Sequence, residues 1–253
     1  MKMTKLAKER IIVALDVATE KDAAELVIKL REYVGLFKIG LELLNSEGIG
    51  IVRTVTDLGG KVFLDGKFKD IPNTVAGASR AVTKLAVRMF NVHTMGGVEM
   101  MKSAIKAAEE ESSRLGVERP LILGVTVLTS IDQATLNQQL RIPGDIEAQV
   151  VHLATLADEA GLDGVIASPH EIEAIQRSTS SRMLIVTPGV RPVWTAAQDQ
   201  KRVMTPSEAI LKGAAYLVIG RPITKPPAEI GTPVEAAKRI AEEIATALEK
   251  REA

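Results

Sequence analysis

Short apolar runs alternate along the chain with longer segments in which apolar residues recur at helical spacing. Eight runs predict β-strands, because each is too short for a stable helix and most are rich in branched apolar residues. The predicted strands are residues 11–16, 37–41, 62–65, 89–93, 121–127, 164–167, 184–187 and 216–219. Amphipathic helical patterns follow the strands, and the clearest cover residues 21–31, 98–110 and 234–248.

This eightfold alternation predicts an α/β fold, a single-domain (β/α)8 TIM barrel over residues 1–253. The length agrees, since such a barrel typically needs about 250 residues. A doubly wound open sheet has the same alternation of strands and helices, and periodicity alone does not exclude it. Apolar residues make up 46% of the chain and aromatics only 3%. The core must therefore be built from small branched and aliphatic side chains, which suit strands covered on both faces.

Charge and cysteine content narrow the class of protein. Thirty-two basic residues balance 32 acidic ones, which argues against a general nucleic-acid or membrane-surface binder. The absence of cysteine excludes disulfides and thiolate chemistry. No apolar stretch approaches the roughly 18 residues of a membrane helix. We expect a soluble, cytoplasmic protein with no nucleic-acid or membrane partner.

Charged residues interrupt or end three of the apolar strands. Asp16 ends the first strand, Lys38 lies within the second, and Asp65, Lys67 and Asp70 follow one another at the end of the third. Strand side chains alternate, so Asp65 and Lys67 are expected to point the same way. A buried charge without a partner is costly, so such residues pair or serve function. Any one of them alone is equally consistent with a structural ion pair.

Two connections and three helix starts also stand out. The connections at about residues 129–144 and 189–204 are long enough to predict binding loops or lids. The helix starts place Ser168, Thr205 or Thr232 before a proline, with a glutamate two residues after that proline. This pattern predicts a capping box at each of the three.

A phosphate site is predicted after the last two strands. Gly189 and Gly220 each follow a strand, and glycine lets the backbone approach a ligand closely. Arg191 and Arg221 lie beside them, and arginine matches the geometry of phosphate oxygens. Phosphate sites in (β/α)8 barrels often lie after strands 7 and 8.

Residues 65–74, with the sequence DGKFKDIPNT, resemble the signature of the orotidine 5′-phosphate decarboxylase family. The resemblance covers nearly the whole chain, through further motifs in the same order at residues 12–16, 37–40, 91–93, 125–130, 186–192, 199–200 and 218–224. The family often has histidine at the position of Lys69. The resemblance implies decarboxylation of orotidine 5′-monophosphate to uridine 5′-monophosphate, the last step of de novo pyrimidine biosynthesis, without cofactor or metal.

The resemblance also implies the roles of individual residues. Lys67 is the proton donor to C6 of the pyrimidine, Asp65 faces the substrate carboxylate, and Lys38 orders the charged network. Asp70, Ile71 and Thr74 act across the interface of a homodimer, with Asp70 counted among the catalytic residues. The implied substrate-binding residues are Asp16, Lys38, Ile71, Thr74, Thr129, Pro188, Arg191, Gln200, Gly220 and Arg221.

Two other functions remain open at this point. One is a magnesium-dependent sugar-phosphate decarboxylase or aldolase with a related Asp-x-Lys-x-x-Asp motif. The other is a catalytically silent barrel that binds a phosphate ligand as a regulator. The residues after Asp70, Ile71-Pro72-Asn73-Thr74, favour orotidine 5′-monophosphate decarboxylation over the magnesium-dependent enzyme. The two lysines and two aspartates at buried positions argue against the silent regulator.

Overall fold

The structure is a computed structural model that describes residues 2–195 and 204–252. Its strands form a closed barrel in the order β1-β2-β3-β4-β5-β6-β7-β8, in which β1 pairs in parallel with β2 and β8, and β4 with β5. The (β/α)8 fold class is confirmed, and the alternative of a doubly wound open sheet is excluded. The strands are β1 Ile11–Ala14, β2 Leu36–Ile39, β3 Val62–Phe68, β4 Met89–His93, β5 Leu121–Val125, β6 Gly164–Ile166, β7 Leu184–Pro188 and β8 Tyr216–Ile219.

Helices follow the strands as the sequence predicts, but in the described ranges three further short helices have no predicted counterpart. The unpredicted ones are α1, α3 and α10, whose few turns carry too few apolar positions to establish a period. The helices are α1 Lys2–Glu9, α2 Glu20–Leu30, α3 Leu41–Glu47, α4 Ile51–Asp57, α5 Pro72–Thr83, α6 Val98–Leu115, α7 Ile146–Ala160, α8 Ile172–Ser178, α9 Pro206–Lys212, α10 Arg221–Thr224 and α11 Pro233–Glu252. A short π-helical segment, Thr135–Gln139, lies inside the first long connection.

The chain divides into two compact units, one formed by Met1–Gly66 with Thr187–Ala253 and the other by Lys67–Val186. In the first unit β1 pairs with β2 and β8, and β2 pairs with β3. In the second, β4, β5, β6 and β7 pair in sequence. The buried side chains of the strands are mostly branched and aliphatic, as the composition predicts. That residues 1–253 form one domain stays a prediction.

Two of the three predicted capping boxes are confirmed. Thr205 and Glu208 exchange hydrogen bonds at the start of α9. Thr232 and Glu235 do the same at the start of α11. The third prediction is wrong, because α8 begins at Ile172 and Ser168 lies in the preceding turn.

The helices give no sign of a membrane span. Within the described ranges, none is both long and apolar enough to cross a bilayer.

Candidate active site

Three of the predicted charged residues form an ion network in the first unit. Lys38 lies in β2 between β1 and β3, opposite Ala14 and Phe63. Its Nζ is 3.2 Å from Asp16 Oδ1 and 3.5 Å from Asp65 Oδ2. The side chains of Lys38 and Asp65 are each only 12% exposed, whereas that of Asp16 is 62% exposed. A nearly buried cation thus joins one buried and one solvent-facing carboxylate.

Two glycines leave room around this network. A Cβ atom at Gly40 would lie 2.8 Å from Lys38 Nζ, too close for an ordinary contact. A Cβ at Gly220, directly after β8, would lie 3.5 Å from Asp16 Oδ2. The backbone of Gly220 therefore passes beside the exposed carboxylate of Asp16. The structure brings a predicted phosphate-site glycine next to Asp16, one of the implied substrate-binding residues.

Lys67 has an unusual backbone conformation. It lies in β3, which extends three residues beyond its predicted end, yet its φ is +49°, in the left-handed region. Regular strand alternation is interrupted there, so alternation does not establish that Lys67 points the same way as Asp65. The Lys67 N–H donates to Asn91 Oδ1 at 2.7 Å. Asn91 lies in β4 and is fully buried.

The residues after β3 are open to solvent. Asp70, Ile71 and Thr74 are all exposed, and Ile71 is exposed to 67% although it is a large apolar residue. Asp70 Oδ1 accepts a hydrogen bond from the N–H of Ile71 at 2.7 Å, which orients the carboxylate at the end of the segment. Pro72 then begins α5.

The predicted phosphate residues lie at the ends of β7 and β8. Pro188 ends β7, Gly189 has a φ of +76°, and the Arg191 N–H donates to the carbonyl of Met204 at 3.1 Å. Arg221 is exposed at the first position of α10. Gln200 lies outside the described residues.

An apolar cavity of about 110 Å³ lies in the second unit, beside the end of β5. Its lining includes Thr126, Leu128 and His93. Thr129, one of the implied substrate-binding residues, follows Leu128 and is exposed. Thr126 Oγ1 donates to the Ile166 carbonyl at 2.9 Å, which fixes the end of β5.

Sequence reasoning gave no role to Asn91, although a signal for it exists. A carboxamide in the middle of the apolar strand MFNVH is costly to bury unless its polar atoms are paired. Nothing in the sequence names its partner, because the bond joins different strands. In the parts of the chain that the structure describes, no three His, Cys, Asp or Glu residues are grouped to hold a metal ion.

The sequence model of the orotidine 5′-phosphate decarboxylase / HUMPS family matches residues 9–240. The chain belongs to this family. Orotidine 5′-phosphate decarboxylases from two bacteria are among its relatives. That from Moorella thermoacetica is 52% identical over 238 residues, covering 94% of this chain and 93% of the relative. That from Heliobacterium modesticaldum is 48% identical over 245 residues, covering 97% and 99%.

Solved structures of the orotidine 5′-phosphate decarboxylase family have the same fold. The enzyme from Lactobacillus acidophilus matches with a TM-score of 0.81 at 35% identity, covering 92% of this chain and 98% of that one. The enzyme from Pyrococcus horikoshii matches with a TM-score of 0.71 at 26% identity, covering 92% and 98%. The match extends over nearly the whole chain.

Proposed function

We propose that this protein decarboxylates orotidine 5′-monophosphate to uridine 5′-monophosphate and CO₂, as the last step of de novo pyrimidine biosynthesis in the cytoplasm. The observation that carries the proposal is the Asp16–Lys38–Asp65 network, with Lys67 two residues beyond Asp65 on the same strand. Membership of the family and relatives of about half identity support it.

The reaction needs a cation close to C6 of the pyrimidine. When the bond between C6 and the carboxylate breaks, its electron pair stays on C6 as a carbanion that no adjacent carbonyl delocalises. The ammonium of Lys67 stabilises this developing charge electrostatically and then transfers a proton to C6. Lys67 suits both tasks without any cofactor or metal.

Asp65 acts on the substrate carboxylate. Lys38 holds the Asp65 carboxylate at 3.5 Å, and both side chains are largely removed from water. A carboxylate fixed in this way raises the energy of a second carboxylate bound beside it, and the repulsion is relieved as CO₂ leaves. Lys38 therefore acts as an ordering residue, and Asp16, which is open to solvent, binds a ribose hydroxyl.

The remaining substrate contacts follow from the loops after β5, β7 and β8. Arg191 and Arg221 bind the 5′-phosphate, with Gly220 and Pro188 allowing its close approach. Thr129 contacts the pyrimidine edge, and Gln200 bridges phosphate and base. Binding energy from the phosphate, remote from C6, helps to hold the reacting ring in place.

The protein acts as a homodimer in which Asp70, Ile71 and Thr74 complete the partner's site. The exposure of these residues supports this, because a partner's site can use only side chains that one chain leaves accessible, and Ile71 is exposed to 67%. Met95, Leu128 and Leu140 of the same unit are also exposed, to 43%, 39% and 48%. Burial of such side chains against a second copy would remove their apolar surface from water.

The proposal is tested by following the loss of orotidine 5′-monophosphate absorbance with purified protein, with and without EDTA. We expect loss that EDTA leaves unchanged, with uridine 5′-monophosphate as product. Lys67→Ala abolishes turnover, whereas Lys61→Ala, an exposed lysine before β3, retains it. No loss with any preparation refutes the proposal and favours the sugar-phosphate enzyme or the regulator, whereas loss that EDTA abolishes means that the decarboxylation uses a metal ion. Turnover retained in Lys67→Ala contradicts the role of Lys67.

A further inference from the structure

The backbone of Lys67 is held in a conformation that a lysine does not adopt readily. At a φ of +49° the Cβ atom of an L-residue lies too close to the carbonyl oxygen that follows it. Only glycine, which has no Cβ, adopts this conformation freely. Residues in such conformations persist where their surroundings hold them, and they concentrate at functional sites. The contacts of residues 67 and 68 with the neighbouring strand show what holds this one.

β4 supplies the restraint through two adjacent residues. Asn91 Oδ1 accepts the Lys67 N–H at 2.7 Å, and the Phe90 ring lies 5.9 Å from the ring of Phe68, centroid to centroid. Asn91 is itself fixed, because it is fully buried and its strand pairs with β5 at every residue from Met89 to His93. The hydrogen bond thus ties the peptide of Lys67 to a rigid strand.

We infer that Asn91 is a positioning residue for the decarboxylation, holding Lys67 in its left-handed conformation so that the ammonium reaches C6. Rotation of φ at Lys67 moves every atom of its side chain, and misplacement by about 1 Å of a reacting group can cost on the order of 100-fold in rate. This inference rests on the proposed function, since it assumes that Lys67 is the proton donor. It assigns to Asn91 no contact with the substrate.

The test replaces the carboxamide by a side chain of similar volume that cannot accept a hydrogen bond. Asn91→Leu is expected to lower kcat by roughly 10- to 100-fold and to change KM by less than about 3-fold. Asn91→Asp retains an oxygen that can accept the Lys67 N–H, so it is expected to recover at least about 10-fold of this loss. Should Asn91→Leu not fold, Asn91→Ser serves, because its hydroxyl is too short to reach.

The matched control is Thr83→Val, which removes another buried hydrogen bond of the same unit, from Thr83 Oγ1 to the Ser79 carbonyl at 2.8 Å. Thr83 lies at the end of α5. Thr83→Val is expected to lose about as much thermal stability as Asn91→Leu but to keep the kcat of the unmodified protein. An unchanged kcat in Asn91→Leu, or an equal loss of kcat in Thr83→Val, would overturn the inference.

A structural readout separates this inference from the proposed function. A crystal structure of Asn91→Leu is expected to show Lys67 with a φ outside the left-handed region. A φ that stays near +49° would overturn the inference even if activity falls. If the unmodified protein does not decarboxylate orotidine 5′-monophosphate, the proposed function fails, and the conformation of Lys67 still decides what Asn91 does.

Discussion

At the scale of single residues, the candidate site combines features that the sequence reveals with one that it hides. Charges that interrupt or end apolar strands identify Asp16, Lys38 and Asp65, and the structure pairs these three. Lys38 and Asp65 are nearly buried, so each needs a partner. The left-handed conformation of Lys67 was not predictable. It depends on a contact with Asn91, 24 positions away in sequence, and no local pattern encodes it.

Replacing Lys67 measures the strain in its backbone. Lys67→Gly and Lys67→Ala both lose the ammonium, so both are expected to be inactive. Alanine in the left-handed conformation costs about 1–2 kcal/mol, a cost that glycine does not have. Glycine, however, makes the unfolded chain more flexible, which offsets part of this advantage. We expect Lys67→Gly to be more stable than Lys67→Ala by about 1 kcal/mol in urea unfolding. A less stable glycine variant would mean that residue 67 is not strained.

Gly40 offers a way to disturb Lys38 without removing it. A Cβ at this position would lie 2.8 Å from Lys38 Nζ, and the end of a lysine moves at little cost to the fold. Gly40→Ala is therefore expected to lower kcat by about 10-fold or more while stability changes little. Gly50→Ala, whose Cβ would meet nothing within 4 Å, is the control and keeps full activity. Equal kcat values in steady-state assays of the two variants would contradict the role of Lys38.

At the scale of elements, the sequence predicted the strands well and their ends less well. β4 and β8 have the predicted bounds, because turn residues or charges flank their apolar runs. β3 continues through Gly66, Lys67 and Phe68, since Phe68 packs against Phe90 of the next strand. The predicted start of α8 was also wrong. Ser168 forms hydrogen bonds with the backbone N–H and the side chain of Glu171 within the preceding turn, so the serine does not cap the helix.

Glu171, at the start of α8, makes the stability of the fold depend on pH. Burial raises the pKa of Glu171 to about 7, with Glu147 adding to the effect, although hydrogen bonds from Ser168 oppose it. The folded state thus binds this proton more tightly than the unfolded state, whose glutamate titrates near 4.5. The stability that the protonated form contributes is complete below about pH 4.5 and is lost as pH rises through about 7.

Glu171→Gln is expected to remove this pH dependence, because glutamine stays neutral. Relative to the unmodified protein, the variant should gain thermal stability between pH 5 and pH 8, as measured by unfolding midpoints at each pH. Glu159→Gln, at an exposed position on α7, is the control and should follow the unmodified protein. Parallel midpoint curves for all three proteins would show that Glu171 does not titrate in this range.

At the scale of the whole molecule, the proposed dimer depends on the exposed segment after β3. Asp70 and Thr74 are exposed beside Ile71, so a site completed by a second copy would use groups that one chain leaves in solvent. The sequence alone does not predict this exposure. The run DIPNT predicts a helix start whether its side chains face water or a second copy of the chain.

Mixing two inactive variants tests whether Asp70 acts across the interface. Lys67→Ala and Asp70→Ala are each expected to be inactive alone. In a mixed dimer, one site receives both substitutions, and the other combines an intact Lys67 with an intact Asp70 from the partner. Random mixing should therefore restore roughly a quarter of the activity of the unmodified protein, because half of the dimers are mixed and each has one intact site. If Asp70 served its own chain, every site would keep one substitution, and mixing after co-expression or mild unfolding would restore no activity. Recovery thus depends on the exchange of Asp70 between copies, which neither the exposure of the segment nor the fold of one chain can produce.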